Sequence, residues 1–261
     1  GAPVYENTSG YALGVTVVGN YAYVADDTSG LAIIDITDPT NPGAPVYMDT
    51  TGSAYGVTVV GNYAYVADDW NGLAIIDITD KANPGAPVYE NTSGYARGVT
   101  VVGNYAYVAD LGTGLAIIDI TDKANPGDPV YMDTDGLAYG VTVVGNYAYV
   151  ADSGSGLAVI DITDKANPGA PVYENTSGSA RGVTVVGNYA YVADAASGLA
   201  IIDITDKANP GDPVYMDTGG LAYGVTVVGN YAYVADRSSG LAVIDITDKA
   251  NPGAPVYMDT S

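Results

Sequence analysis

Short runs of β-branched and aromatic residues, separated by glycine, proline and asparagine, recur along the whole chain. In the first full copy Gly19-Asn20 separates two such runs, which is typical of a tight β-hairpin, and Asn41-Pro42-Gly43 is a turn signal before the last run. No run has the 3.6-residue apolar period of a helix, so the pattern predicts an all-β fold. The four runs, which we name predicted strands a, b, c and d, are Val15–Val18, Tyr21–Ala25, Leu31–Ile36 and Pro45–Met48.

This four-strand pattern is repeated six times with a period of 42 residues. Such self-similarity is typical of repeat architectures. Strands a, b and c are apolar on both faces, so both faces of each sheet must be buried, and radial stacking of four-stranded sheets provides a neighbour on each side. The sequence therefore predicts a six-bladed β-propeller with four antiparallel strands per blade, as a single domain over residues 1–261. The repeats begin at Gly14, Gly56, Gly98, Gly140, Gly182 and Gly224.

The chain carries one more copy of strand d than six blades need, because residues 1–9 and 253–261 both contain it. The tripeptide after each PVY alternates between MDT and ENT, and an ENT copy beside the last strand c would continue this alternation. We therefore expect residues 1–9 to supply the outer strand of the last blade; the alternative is that Val256 and Tyr257 complete their own blade. A displaced strand could also pair with a second molecule, so the chain is expected to be a monomer or an oligomer formed through this surplus strand.

Leu31-Ala32-Ile33-Ile34-Asp35 resembles the LVIVD repeat, and Tyr23-Val24-Ala25-Asp26 resembles related, YVTN-like propeller repeats. Ala32 in place of valine is a minor departure. The resemblance covers nearly the whole chain and implies a propeller similar to bacterial and archaeal proteins that are secreted or lie at the cell surface, mostly without a defined activity. It therefore supports the fold more than a function.

Composition removes several classes of function. The chain has no Cys and no His, hence no disulfide, no thiolate or imidazole metal ligand and no imidazole base. Its formal charge of −22 opposes binding to nucleic acid and to anionic lipid, and no apolar run has the length of a membrane-spanning helix. No G-x-G-x-x-G motif precedes a helix, and we expect no cofactor. Gly1 lies partway through a repeat, which suggests an excised or engineered chain, whereas the irregular Pro39-Thr40 suggests natural duplication; both origins stay open.

Two connections differ between the copies and, in an up-and-down blade, emerge on the same side. The triplet between strands b and c has a different sequence in every copy, whereas the a–b hairpin is constant. The d–a connection ends in a residue directly before strand a, which should ring the mouth of the central channel. We name these two sets the variable face and regard it as the best candidate surface for a glycan, a peptide or a protein partner. The residues before strand a are Leu13, Tyr55, Arg97, Tyr139, Arg181 and Tyr223.

Each candidate on the variable face also has a purely structural interpretation. The tyrosines could plug the channel mouth while Arg97 and Arg181 neutralise nearby aspartates. Trp70, the only tryptophan, is either an exposed contact or a chance member of a tolerant loop. Arg237 is expected to be a solvated loop charge.

Asp26, Asp35 and Asp38 recur in every copy, and repeated carboxylates could bind calcium. The loop after Asp26 lacks the alternating D-x-D-x-D-G pattern, so capping of turns by these side chains is the better interpretation, and no metal site is expected. Six equivalent sets also argue against a paired-carboxylate hydrolase, which needs two different environments at one place. Asp27, Asp69 and Asp135 are not repeated and keep the hydrolase as an alternative. The sequence favours a non-catalytic repeat scaffold, with a binding module as the second interpretation.

Overall fold

The computed structural model describes residues 4–258, in which every regular element is a β-strand. None of these residues belongs to a helix of the length and hydropathy needed to cross a bilayer. Contacts divide the chain into two compact units, Gly1–Tyr131 and Met132–Ser261. That residues 1–261 form a single domain stays a prediction.

The strands form six four-stranded sheets, which we number as blades one to six in chain order. Blades one to three contain β1 (Gly14–Val18), β2 (Tyr21–Ala25), β3 (Leu31–Asp35), β4 (Val46–Met48), β5 (Gly56–Val60), β6 (Tyr63–Ala67), β7 (Leu73–Asp77), β8 (Val88–Glu90), β9 (Gly98–Val102), β10 (Tyr105–Ala109), β11 (Leu115–Asp119) and β12 (Val130–Met132). Blades four to six contain β13 (Ala138–Val144), β14 (Tyr147–Asp152), β15 (Gly156–Asp161), β16 (Val172–Glu174), β17 (Gly182–Val186), β18 (Tyr189–Ala193), β19 (Leu199–Asp203), β20 (Val214–Met216), β21 (Ala222–Val228), β22 (Tyr231–Asp236), β23 (Gly240–Asp245) and β24 (Val256–Met258).

Each blade is an antiparallel meander, as the sequence predicts. In blade one, Val18 pairs with Tyr21 across the Gly19-Asn20 hairpin, and Gly19 has a φ of +60°, which glycine adopts without strain. The six-bladed β-propeller with four antiparallel strands per blade is thereby confirmed.

Neighbouring blades bury their apolar faces against one another. Tyr23 and Leu31 of blade one belong to one buried cluster with Val66 and Ile76 of blade two, and the same positions form equivalent clusters between blades two and three, four and five, and five and six. Burying one such side chain stabilises the fold by about 1.5–3 kcal/mol. The small residues of strands b and c, such as Ala64, let the sheets approach closely and are fully buried.

Three details differ from the sequence prediction. Strand c ends at Asp35 rather than Ile36, whose amide instead donates to the carbonyl of Asn20 at 2.8 Å. Strand d begins at Val46, because Pro45 has no amide hydrogen for the ladder. Strand a is only partly buried, since it is an edge strand with a neighbour on one side; Val60 is 44 % exposed.

The prediction for the surplus copy of strand d is wrong. Val256–Met258 pairs with Leu241–Val243 and is the outer strand of blade six, in place of residues 1–9. A short connection joins β23 to β24 within the chain, so this pairing closes the smaller loop and loses less entropy. Residues 4–8 belong to no strand, and Gly1–Pro3 lie outside the described residues. Oligomerisation through the surplus copy stays a prediction.

Candidate functional site

The two connections of the variable face meet in the structure. Within the described residues, the first residue of a b–c triplet forms an antiparallel bridge in four places with the alanine that precedes the rim position of the next blade. Ala54, for example, donates to the carbonyl of Asp27 at 2.9 Å. The rim residue of one blade is therefore held beside the variable loop of the preceding blade. The bridges are Asp27–Ala54, Asp69–Ala96, Ser153–Ala180 and Ala195–Ala222.

The b–c loop owes its shape to a left-handed residue at its first position. Asp27 and Asp69 have φ values of +50°, and Leu111 and Ala195 have values of +36° and +35°. Aspartate tolerates this region better than leucine or alanine does. The loop keeps one backbone course in blades one to five whichever side chains it carries, so it can vary in sequence without changing shape.

Arg97, between blades two and three, contacts the side chains of Tyr55 and Asp69. Its guanidinium carbon lies 3.6 Å from the ring centroid of Tyr55, in the cation–π range. A terminal nitrogen of Arg97 lies 3.1 Å from Oδ1 of Asp69. The two groups lack the alignment of a hydrogen bond, so the contact is an ion pair. Arg97 is thus stacked on one side and neutralised by the b–c loop that Ala96 contacts.

In blades four to six, Arg181 occupies the equivalent place and is held differently. Its guanidinium carbon lies 4.0 Å from the ring centroid of Tyr139 and 5.8 Å from that of Tyr223. The bridge of Ala180 brings Ser153, rather than an aspartate, to this arginine. Among the described residues, no carboxylate lies within ion-pairing distance of Arg181. The structure therefore contains one neutralised and one unneutralised arginine at equivalent positions.

The other candidates stand apart from these two clusters. Leu13 is 47 % exposed, and its amide donates to the carbonyl of Ala25. Trp70 is 55 % exposed, and its indole has no aromatic or cationic partner within the described part of the chain. Arg237 is exposed, and its amide donates to the carbonyl of Leu221 at 2.9 Å. The structure brings none of these three side chains into an arginine–tyrosine stack.

A buried aspartate after strand b ties the d–a connection to its blade. Asp110 is fully buried and accepts hydrogen bonds from the hydroxyl of Thr92 at 2.6 Å, from the amide of Gly94 at 2.8 Å and from the hydroxyl of Thr113. Burial raises the pKa of Asp68 and Asp152 above the ordinary aspartate value, against the hydrogen bonds that lower it. The equivalent threonine–aspartate bonds are Thr8–Asp26 at 2.6 Å, Thr50–Asp68 at 2.5 Å, Thr134–Asp152 at 2.9 Å and Thr176–Asp194 at 2.6 Å.

The aspartates after strand c cap turns. Asp35 accepts from the amide of Thr37 at 2.8 Å, and Asp38 accepts from the amide and the hydroxyl of Thr40. The hydroxyl of Thr37 and then its amide lower the pKa of Asp35, as those of Thr40 lower the pKa of Asp38. The described residues contain no group of three or more potential metal-binding side chains. Turn capping is thus what these carboxylates do.

Sequence reasoning missed a cationic contact at the c–d connection. The ammonium of Lys81 in blade two lies 5.2 Å from the ring centroid of Tyr21 in blade one, and Lys123 lies at the same distance from Tyr63. The signal is present in the sequence, since NYAY recurs in six copies and TDK in five, but spacing along the chain does not show which blade each residue faces. These lysines link blades.

Six repeated four-stranded antiparallel sheets define a β-propeller of tandem-repeat type. The family model of the LVIVD repeat matches six segments, at residues 9–50, 51–88, 93–133, 135–172, 177–217 and 219–260. The chain therefore belongs to the LVIVD repeat family. No curated protein matches it.

Solved structures share the fold at low sequence identity. A functionally unknown protein from Desulfotomaculum acetoxidans DSM 771 is 13 % identical with a TM-score of 0.79, and 98 % of this chain covers 87 % of that one. The propeller domain of Myceliophteria thermophila Cps50 (Swd1) is 12 % identical with a TM-score of 0.73, with coverages of 98 % and 88 %. The computationally designed Ika8 protein is 9 % identical with a TM-score of 0.67, with coverages of 94 % and 86 %. Such identities support the fold alone.

Proposed function

We propose that this chain is a non-catalytic repeat scaffold that presents the variable face. The observation that supports this proposal is that the recurring carboxylates accept hydrogen bonds that hold the connections and turns of the fold. Asp110 and its equivalents hold the d–a connection, and Asp35 and its equivalents cap turns. A general acid or a nucleophile needs a carboxylate that is free to reach a substrate.

The unrepeated carboxylates give little support to a hydrolase. Asp69 lies in the ion pair with Arg97. Burial, followed by the charge of Asp135 and a hydrogen bond to it, raises the pKa of the Tyr173 hydroxyl to about 12. Asp27 has a φ of +50° and bridges Ala54. The side chains of Asp69 and Asp135 thus already have partners, and Asp27 is held through its backbone.

One experiment distinguishes a hydrolase from a non-catalytic scaffold. Purified protein is assayed against panels of glycoside and ester substrates, beside the variants Asp69→Asn and Asp135→Asn. We expect no turnover above that of buffer in any of the three. Turnover that disappears in either variant, while its thermal unfolding matches that of the parent chain, would overturn the proposal.

The scaffold also predicts where the chain tolerates change. Replacement of the exposed loop residue Ala196 by serine should change the free energy of unfolding by no more than about ±0.5 kcal/mol, the usual range for surface substitutions. Thr92→Val removes a 2.6 Å hydrogen bond to buried Asp110 and should lower the free energy of unfolding by about 1–3 kcal/mol. Equal effects at both positions would contradict this division of roles.

Recognition by the variable face is the second candidate function, and the stacked arginines favour it. Tyr55 with Arg97, and Tyr139 with Arg181, place flat aromatic and cationic groups beside loops that differ in every blade. A glycan or a peptide is the class of ligand that fits such surfaces. A screen should yield a ligand whose binding is weakened by Tyr55→Ala, Tyr139→Ala or Arg97→Ala; binding unchanged in all three would remove this surface.

A further inference from the structure

We infer that Arg181, held by Tyr139 and Tyr223, binds the carboxylate of a ligand that is otherwise neutral. The inference rests on the variable face being a recognition surface, and it names the ligand chemistry of one part of that surface. The chain itself provides the comparison that carries it, because Arg97 and Arg181 occupy equivalent positions in the repeat.

The two arginines differ in the loop residue that bridges the alanine before them, and also in the residue two positions before them, which is Tyr95 in one case and Ser179 in the other. Ala96 and Ala180 form the same backbone bridge, to Asp69 in one case and to Ser153 in the other. Asp69 thereby reaches Arg97 at 3.1 Å, whereas Ser153 has no charge to offer Arg181. Arg97 therefore has a carboxylate beside it, whereas Arg181 has none among the described residues.

The guanidinium of Arg181 is also held in place before any ligand arrives. Tyr139 lies 4.0 Å from its central carbon, and Tyr223 lies 5.8 Å away. Its Nε is enclosed and has no hydrogen-bond partner among residues 4–258, which is also true of Arg97, so the two arginines differ at their terminal nitrogens. A planar guanidinium matches a carboxylate with two parallel hydrogen bonds, and a side chain already fixed loses less entropy on binding.

Charge and shape restrict the ligand further. The chain has a formal charge of −22, which repels polyanions and leaves a single carboxylate on a neutral body as the best match. Tyr223 is 43 % exposed, so part of its ring is accessible to that body. Sugar acids and peptides with a free carboxyl end share this chemistry.

Nuclear magnetic resonance of ¹⁵N-arginine-labelled protein tests the inference directly. The chain has three arginines, so three Nε–Hε signals are expected, assigned with Arg97→Lys, Arg181→Lys and Arg237→Lys. The probes are glucuronate, which is a sugar carrying one carboxylate, and N-acetylglycine, which is a carboxylate on a peptide bond. Glucose and sodium chloride at matched ionic strength are the controls.

We expect at least one probe to shift the Arg181 signal saturably, with a Kd on the order of 1 mM or below, while the Arg97 signal stays in place. A response to glucuronate alone assigns a sugar acid, and a response to both assigns carboxylates in general. Absence of a saturable shift, or an equal shift in sodium chloride, would overturn the inference. The Tyr55→Ala variant probes the Arg97 cluster and leaves the Arg181 cluster unchanged, so a failure of recognition at Arg97 is distinguished from a failure of this inference.

Two exchanges of loop residues provide matched variants. Ser153→Asp should neutralise Arg181 and abolish the response, whereas Asp69→Ser should free Arg97 and make its signal respond to the same probe. Thermal unfolding of both variants monitors the fold. A response of Arg181 that persists in folded Ser153→Asp would contradict the role given to the missing carboxylate.

Discussion

Ala195 has a left-handed backbone conformation that alanine adopts only at a cost. Its φ is +35°, at a loop position where two other blades have aspartate. An L-residue in this region loses about 1–2 kcal/mol relative to its preferred conformation, and glycine avoids this penalty. Glycine gives the unfolded chain more freedom, which removes about 0.4–1 kcal/mol of the gain. Ala195→Gly should therefore stabilise the protein by about 0.5–1 kcal/mol.

The neighbouring residue is the matched control. Ala196 is exposed and is not among the described residues with positive φ, so Ala196→Gly brings only the entropic penalty and should destabilise by about 0.4–1 kcal/mol. In a chain of this length 1 kcal/mol moves the melting temperature by about 2–4 °C. Differential scanning calorimetry should show shifts of opposite sign. Equal decreases in both variants would refute the reasoning from backbone conformation.

Three further outcomes are expected. Gly72→Ala should destabilise strongly, since a Cβ there would clash with the carbonyl oxygen of Glu90 and the backbone has a φ of +79°, whereas the Cβ of Gly112→Ala meets open space; chemical unfolding of both variants compares them. The hydroxyl and then the amide of Thr79 lower the pKa of Asp77 in the folded protein. The stabilisation from this carboxylate is therefore present above the ordinary pKa of 3.8 and is lost as the pH falls through the lower folded pKa. Melting temperatures should drop over this pH range, and they should drop less in Asp77→Asn. Lys123→Gln should lower stability by about 0.5–1 kcal/mol in thermal unfolding through the lost contact with Tyr63.

Sequence alone is sufficient to predict the blade, because the repeat period, the apolar strand runs and the turn residues are all present within one copy. The Gly19-Asn20 hairpin and the proline before strand d are local signals of this kind. The outer strand of blade six was not predictable from them, since the two copies of strand d are nearly identical. There the deciding factor was chain connectivity, which the MDT and ENT alternation does not describe.

The candidate site follows the same division between local and non-local information. The sequence identifies Arg97 and Arg181 as equivalent positions, but it does not show which of the residues that differ between the two copies lie beside them. The distinction comes from the preceding blade, where Asp69 and Ser153 occupy one backbone position and differ by a charge. In a repeat protein a side chain is thus completed by its neighbour's loop, so a change of one loop residue alters the chemistry of a position in the next blade. We therefore expect substitutions in the variable triplets to change binding most where a triplet adjoins a rim residue that carries a charge or a ring.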